Sequence, residues 1–234
     1  MNAILKRELK AYFLTPLGYV IIAVMYFFTA YYFFTYNLYG NTTDTTTLFS
    51  MLFSIAMFLV PALTMRLLSE ERRSKTEQTL LTAPVSRLGI VISKYAAAVL
   101  IYLLAISGTL VMALVLQCYS QPNWPMVLGN FIGLFLLGAA LIAICLFISA
   151  FTESQVMAAV GGFGVSLFLT LVDALYYVVQ NRLLRILFAQ MSFNDRYQGF
   201  TLGIVDLSAV SFFISVAGLF LALTVIVLER RRWV

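Results

Sequence analysis

The sequence predicts an all-α membrane protein with six transmembrane helices. Hydrophobic residues make up 62% of the chain and charged residues 11%, and the mean hydropathy is +0.95. This composition is typical of polytopic membrane proteins and not of soluble domains. Six apolar runs also reach the roughly 20 residues that a helix needs to cross a hydrocarbon core about 30 Å thick. These runs are residues 17–36, 48–68, 95–116, 126–150, 156–177 and 207–228.

The length and composition of the runs favour helices over strands. A strand of a membrane β-barrel is only about 10 residues long and alternates between polar and apolar side chains. None of the six runs has either property. We therefore predict that residues 1–234 form a single transmembrane domain.

The distribution of Lys and Arg predicts the orientation, with both termini in the cytosol. Twelve basic residues then lie on the inner side and three on the outer side, as the positive-inside rule requires. The inner residues are Lys6, Arg7, Lys10, Arg66, Arg72, Arg73, Lys75, Arg87, Lys94, Arg230, Arg231 and Arg232, and the outer ones are Arg182, Arg185 and Arg196. The net charge of +5 therefore reflects membrane topology, and we expect no nucleic-acid partner.

The segment before the first run, residues 1–15, has the pattern of an interfacial elbow helix. In a helix, where each residue advances by about 100°, two groups of side chains in this segment would lie on separate arcs of the helix surface. The apolar group is Ile4, Leu5, Leu9, Tyr12 and Phe13, and the basic group is Lys6, Arg7 and Lys10. Glu8 interrupts the apolar face, so a simple basic flank of the first span is the alternative. Thr15-Pro16 should end this helix, because the residue before a proline avoids the helical conformation.

The second and third runs are separated by a polar island, residues 69–94, which must lie in water. Ser74 and Glu77 have the spacing of a capping box, and Pro84 should end the short helix that carries Leu80 and Leu81. Ser86 could cap the helix that leads into the third span. The island is either a docking site for a soluble partner, through a helix crosswise to the membrane, or a solvated charged loop.

The outer connector between the fifth and sixth runs, residues 178–206, mixes polar and apolar side chains. It is too polar to cross the membrane, yet it contains Leu183, Leu184, Phe193 and Phe200. We predict one or two short amphipathic helices that rest on the outer leaflet or dip into it. In the fourth span, Gly129 and Gly133 allow a close helix approach, for which packing within one subunit is the simpler explanation.

Several kinds of chemistry have no basis in the sequence. The chain has no His, which removes the commonest metal ligand and general base, and it has no phosphate-cradling P-loop. We predict no catalytic residue, metal site or cofactor within it. Asp173 is the one acidic candidate for a substrate or ion pathway. Its alternatives are a partner for Arg182 or Arg185, or an interfacial carboxylate that points outward.

Four stretches of the sequence resemble the ABC-2-type permease subunits of ATP-binding cassette transporters, and the resemblance extends over essentially the whole chain. They are Lys6-Arg7-Glu8-Leu9-Lys10-Ala11-Tyr12-Phe13, Met65-Arg66-Leu67-Leu68-Ser69-Glu70-Glu71-Arg72-Arg73, Thr82-Ala83-Pro84-Val85-Ser86, and Leu228-Glu229-Arg230-Arg231-Arg232-Trp233. The outer segment with Phe193, Gly199 and Asp206 is similar to the gliding-motility-associated group of these permeases. Many members carry Gly and Glu where this chain has Lys75 and Gln78.

The resemblance implies an elbow helix, a cytosolic coupling helix in the island and short outer helices. It implies that the island docks a separate cytosolic ATPase through Glu70, Glu71, Arg72, Arg73, Thr76, Glu77, Thr79, Leu80 and Leu81. Ser74 and Pro84 would bound the coupling helix, and the elbow residues would be Lys6, Arg7, Lys10, Tyr12 and Phe13. ATP and magnesium would bind to that partner, while a second permease subunit, identical or different, would complete the transporter.

The resemblance further implies a location in the bacterial inner membrane and export as the direction of transport. Spans two and five would line the path between the two permease subunits. Two other functions remain open at this point. One is an ATP-independent carrier or scaffold, and the other is a permease that moves no substrate and transmits ATPase work to an outer partner on residues 178–206.

Overall fold

The computed structural model of the chain describes residues 2–74, 86–119, 121–178 and 190–230. These residues form helices, and no strand occurs within the described ranges. Six helical segments are long and apolar enough to cross a membrane, so the predicted fold class is confirmed. In chain order the helices are α1 (Asn2–Leu14), α2 (Pro16–Tyr32, continued by a π-helix at Phe33–Leu38), α3 (Thr46–Thr64), α4 (Ser69–Arg73), α5 (Arg87–Ile106), α6 (Gly108–Tyr119), α7 (Trp124–Ser149), α8 (Gln155–Val178), α9 (Phe193–Thr201) and α10 (Leu207–Arg230).

Helix α7 forms the centre of the bundle. It packs against α3, α5, α8, α9 and α10, and 67% of its most apolar window is buried, compared with 17% for α10. A helix that is apolar on all sides is usually buried, and the polar side chains Asn130 and Ser149 of α7 are themselves buried. The second, third, fifth and sixth spans therefore pack around α7.

The chain changes direction between α1 and α2 at the predicted position. Thr15 is extended, with φ −101° and ψ 151°, and Pro16 begins α2. Proline suits the first position of a helix because the missing N–H has no partner there in any case. Helix α1 then packs against α2 and α5. Its position at the membrane interface remains a prediction.

The second span is interrupted, although its apolar run predicts a continuous helix over residues 48–68. Helix α3 ends at Thr64, a turn follows at residues 65–68, and α4 begins at Ser69. The hydroxyl of Ser149, at the end of α7, accepts hydrogen bonds from the backbone N–H groups of Leu68 and Ser69, both at 3.2 Å. The central helix thus satisfies two of the donors that the start of α4 leaves without a helical partner.

The third span also has an interruption, at Ser107 between α5 and α6. The hydroxyl of Tyr26 lies 2.9 Å from the Ser107 hydroxyl and donates to the Leu104 carbonyl at 3.1 Å. A Cβ atom on Gly108 would lie 2.9 Å from the Tyr26 ring. The small residue therefore lets a ring of the first span pack directly on the backbone of the third.

The short helix α9 is inserted into the bundle end rather than laid over it. Its side chains Phe193, Tyr197 and Phe200 are buried. A Cβ atom on Gly133 would lie 2.7 Å from Phe200, and one on Gly129 would lie 3.1 Å from Gly203. The two glycines thus pack within the subunit, as the simpler interpretation held. A second outer helix, if present, would fall in residues 179–189, outside the described residues.

Candidate functional site

The two ends of the bundle are named here for the short helices found there, the α4 end and the α9 end. The α4 end contains the N-terminal helix α1, the start of α5 and the end of α10, near the polar island. The ion pair between Arg87 and Glu229, with 3.4 Å between nitrogen and oxygen, joins the last two elements. The candidate site is a cluster of charged side chains at this end.

Lys94 is the centre of the charged cluster. Its side chain is 1% exposed, although it lies only two turns into α5. The ammonium nitrogen is 3.2 Å from Oε1 of Glu8 and 3.0 Å from Oε1 of Glu71, and it donates to the Leu67 carbonyl at 2.7 Å. An ammonium group has three donors, and these three acceptors match them in number. One side chain therefore joins α1, the α3–α4 turn, α4 and α5.

Arg7 completes the cluster and balances its charge. Its guanidinium donates to Glu8 at 2.8 Å and also contacts Glu71. Partial burial opposes ionisation, but the hydrogen bonds and negative charges of Glu8 and Glu71 raise the pKa of Arg7 above its ordinary value. Two cations, Arg7 and Lys94, thus face two carboxylates. A buried ionic group is tolerated when it is paired and hydrogen-bonded in this way.

Two further contacts attach α1 to the second span. Tyr12 is 2% exposed, and its hydroxyl donates to the Leu63 carbonyl at 3.0 Å. Burial, with a contribution from the charge of Glu8, raises the pKa of Tyr12, so the phenol keeps its proton. Arg66 donates to the Thr15 hydroxyl and pairs with Glu70, both at 2.8 Å. The junction between α1 and α2 is thereby attached to the α3–α4 turn.

Helix α4 is also attached to the connection between α7 and α8. Arg72 donates to the Phe151 carbonyl at 2.8 Å and lies 3.1 Å from Oε1 of Glu153. A pocket of about 290 Å³ opens beside the cluster, between Arg7, Tyr12 and Ser74. The five-residue helix at the start of the island is therefore held from two sides and does not project freely.

The structure locates part of the predicted docking and elbow residues. Glu70, Glu71 and Arg72 are half-buried in the contacts described above, while Arg73 and Ser74 are exposed. The predicted elbow residues Lys6, Lys10 and Phe13 are also exposed, whereas Tyr12 is buried. Six further predicted residues lie outside the described residues, so their roles remain predictions: Thr76, Glu77, Thr79, Leu80, Leu81 and Pro84.

The two predicted helix caps of the island have different outcomes. Ser86 accepts a hydrogen bond from the Gly89 backbone at 3.2 Å, which confirms that it caps the helix leading into the third span. Ser74 donates to the Glu70 carbonyl at 2.9 Å, at the end of α4. Its predicted partner Glu77 lies outside the described residues, so the capping box remains a prediction.

Three residues of these contacts, Glu8, Arg66 and Lys94, were not predicted as site residues. Glu8 interrupts the predicted apolar face of α1, and Arg66 and Lys94 count among the inner basic residues. Glu8 and Arg66 also lie in stretches that resemble ABC-2 permeases, but no contact between them and α5 was predicted. One observation could have drawn attention to Lys94. It is followed directly by the third apolar run, so a helix places it close to the hydrocarbon boundary, where a lone charge is costly. Such a position requires a partner, and Glu8 and Glu71 provide two.

Asp173 lies at the α9 end, away from this cluster. Its carboxylate is 7% exposed and accepts a hydrogen bond from the Ser192 hydroxyl at 2.7 Å. The same hydroxyl accepts from the backbone N–H of Asp195 at 2.9 Å, so Ser192 caps α9. The outward-pointing interpretation of Asp173 is therefore wrong, because the side chain is buried. Its predicted partners Arg182 and Arg185 lie outside the described residues.

The described ranges contain no group of three His, Cys, Asp or Glu side chains that could hold a metal ion. The charged cluster has paired donors and acceptors and contains no nucleophile poised beside a base. What this arrangement can do is transmit a displacement. A movement of α4 must also move α1 and α5, or else break buried ion pairs.

The fold and the charged cluster together define a polytopic membrane protein whose N-terminal helix is bonded to the loop between its second and third spans. Residues 9–228 match the ABC-2 family transporter proteins. The chain therefore belongs to this family and is an ABC-2-type permease. A comparison with curated proteins returned no match.

Proposed function

We propose that the chain is the membrane subunit of an ATP-driven exporter and receives mechanical work from a separate cytosolic ATPase. In this proposal the α4 end faces the cytosol of a bacterial cell, and the ATPase docks on the polar island. A second permease subunit completes the transport path. Closure of the ATPases on ATP displaces the island, and the displacement reaches the spans.

The observation that carries this proposal is the buried Lys94. Its contacts with Glu8, Glu71 and Leu67 connect the start of the island to α1 and to the third span. A solvated loop that binds nothing would need no such attachment. A lever, in contrast, transmits force only if it is rigidly joined to what it moves, and buried paired charges are costly to separate.

The positions of basic residues support the orientation. Arg7, Arg66, Arg72, Arg87 and Lys94 all lie at the α4 end, and Arg196 lies on α9 at the opposite end. Basic residues next to membrane spans are retained on the cytosolic side. The predicted coupling helix, residues 75–82, would then be on the side where an ATPase can reach it.

Crosslinking from the island tests the proposal. In a Cys118→Ser background, which removes the exposed native thiol, Thr79→Cys should capture a protein with a P-loop from the native host membrane. Thr43→Cys is the matched control, because Thr43 is exposed in the loop at the opposite end. A membrane-impermeant maleimide added to intact cells should label the Thr43 variant and spare the Thr79 variant.

Two results would overturn the proposal. If Thr79→Cys captures no P-loop protein, the assigned docking surface is wrong. If the impermeant reagent labels the Thr79 variant in intact cells, the orientation is wrong. The alternative of a carrier that works through Asp173 is less well supported. That carboxylate already accepts a hydrogen bond from the Ser192 hydroxyl, which caps α9.

A further inference from the structure

A second feature of the bundle, separate from the charged cluster, is an apolar groove between α7, α8 and α10. Its volume is about 430 Å³, within the range of about 300–1,000 Å³ usual for small-molecule sites. The walls include Ile148, Phe168, Val216 and Phe220, and Met191 and Phe193 line the groove near the α9 end. Gln190 is the one polar residue among its lining side chains in the described part of the chain.

Along α10 the groove is nearly as long as one membrane leaflet is thick. On α10 it extends from Phe212 to Phe220, and eight residues of helix rise about 12 Å. Half of a hydrocarbon core about 30 Å thick is about 15 Å. Because α10 begins at Leu207 at the α9 end, the α10 wall starts near that end. On α7 the wall reaches Ile148, one residue before Ser149 at the α4 end.

A cation lies at the α9 end of the groove. The guanidinium carbon of Arg196 is 5.5 Å from the centre of the Phe212 ring, a groove wall, and Arg196 donates to the Ser208 hydroxyl at 2.8 Å. Within the described ranges no carboxylate lies within ion-pair distance of Arg196. A fixed guanidinium with remaining donors is well suited to a phosphate group.

We propose that this groove binds one acyl chain of an anionic phospholipid, with the lipid phosphate on Arg196. The phosphate contact lies at the α9 end, and the groove lies within one subunit. It involves none of the residues of the charged cluster. The proposal uses only the membrane setting and the groove itself, so it holds or fails independently of the proposed ATPase docking.

Photolabelling of the full-length protein tests the site. The protein is reconstituted into nanodiscs of phosphatidylcholine that contain a small fraction of phosphatidylglycerol with a diazirine within one acyl chain. After irradiation and digestion, adducts should be several-fold enriched on groove residues such as Phe168, Val216 and Phe220. The reference is Ile214, which is 58% exposed on the same helix and does not line the groove.

Matched variants separate the groove from the general lipid-facing surface. Val216→Trp fills the groove and should reduce the adducts on Phe168 several-fold, whereas Ile214→Trp adds the same side chain outside it and should leave them unchanged. Arg196→Gln should remove the preference for phosphatidylglycerol over a phosphatidylcholine probe with the same diazirine chain. The elution profile in size-exclusion chromatography should be the same for all variants, which controls for folding.

Three results would overturn the assignment. Equal labelling of groove and reference residues would show ordinary lipid contact. An unlabelled groove beside a labelled Ile214 would show that protein covers it, either residues 179–189 or a second copy of the chain. An unchanged lipid preference in Arg196→Gln would exclude the phosphate contact.

Discussion

The ammonium group of Lys94 lies 3.0 Å from a carboxylate oxygen of Glu71, and both side chains are largely shielded from solvent, with 1% and 15% exposed. This pair joins the helix that opens the third span to the short helix that begins the polar island. Glu8 adds the N-terminal helix to the same contact, at 3.2 Å. Three parts of the chain that are distant in sequence thus share one ionic junction.

Loss of Lys94 should destabilise the protein more than loss of a partly exposed cation on the same helix. Lys94→Met removes the buried cation from beside the carboxylates of Glu8 and Glu71, while Arg7 still contacts both. Breaking a buried ion pair typically costs about 3–5 kcal/mol, and because Arg7 remains we expect a loss toward the lower end of that range. Arg87→Met is the control, because Arg87 forms an ion pair with the half-exposed Glu229, worth about 0–1 kcal/mol. Unfolding in mixed detergent micelles measures both, and equal losses would contradict the junction.

Enlarging Gly133 should disturb α9. The Cβ atom of Gly133→Ala would lie 2.7 Å from Cβ of Phe200, and overpacking of this kind costs about 1–3 kcal/mol. Gly164→Ala is the matched control, because a Cβ atom there meets nothing within 4 Å. The free energy of unfolding should fall in the first variant only, and Phe200→Leu should restore part of it. A neutral Gly133→Ala would mean that α9 is not held against α7.

Removing the hydroxyl of Ser192 should loosen the start of α9. Ser192→Ala deletes both the cap on the Asp195 amide and the hydrogen bond to Asp173. Loss of an N-cap alone costs about 0.5–2 kcal/mol. Hydrogen exchange at the first amides of α9 should accelerate, while Ser215→Ala, at an exposed position on α10, should leave exchange unchanged. Unaltered protection of Asp195 would rule out the capping role.

Variants of Asp173 distinguish an anchor from an ion pathway. Asp173→Asn keeps an oxygen acceptor for Ser192, so we expect stability within about 1 kcal/mol of the native protein. Asp173→Leu leaves the Ser192 hydroxyl and the Asn194 amide without this acceptor and should cost about 1–3 kcal/mol. The carrier alternative would instead be supported if proteoliposomes of the native protein took up protons and those of Asp173→Asn did not.

Leu80→Asp should uncouple the proposed ATPase without unfolding the membrane domain. A carboxylate in an apolar docking contact loses its hydration and has no cation provided for it. We expect the partner's ATPase activity to lose its stimulation by the permease, while the unfolding midpoint in detergent stays at the native value. Ser154→Asp adds the same charge at an exposed position in the connection between α7 and α8, outside the predicted docking residues, and is the control for a general change in surface charge. Full stimulation in Leu80→Asp would argue against the predicted coupling helix.

The spans were predictable because the bilayer imposes a local requirement. A segment that crosses it must be apolar over roughly 20 residues, and that property is visible in any stretch of sequence. The break at Thr15-Pro16 and the cap at Ser86 were predictable for a similar reason, since each depends on a backbone preference within three or four residues. The interruptions at residues 65–68 and at Ser107 were not predicted. They are held by Ser149, Lys94 and Tyr26, which belong to other helices.

The same distinction applies to the α9 end of the bundle. The sequence indicated that the outer connector contains a short helix, because its polar and apolar residues are mixed. It did not indicate that Phe200 would pack against Gly133. Nor did it indicate that Asp173 would accept a hydrogen bond from the Ser192 hydroxyl that caps the helix. Those contacts depend on how α8, α9 and α7 are placed in space, which no local pattern encodes.

The sequence by itself determined the membrane class, the number of spans, the place of the polar island and the resemblance to ABC-2 permeases. Each of these follows from composition or from short motifs. Only the tertiary structure decided that Lys94 is a buried junction rather than one more positive charge beside a membrane. An ion pair needs its atoms within about 4 Å, and Glu8, Glu71 and Lys94 come that close only when α1, α4 and α5 pack together.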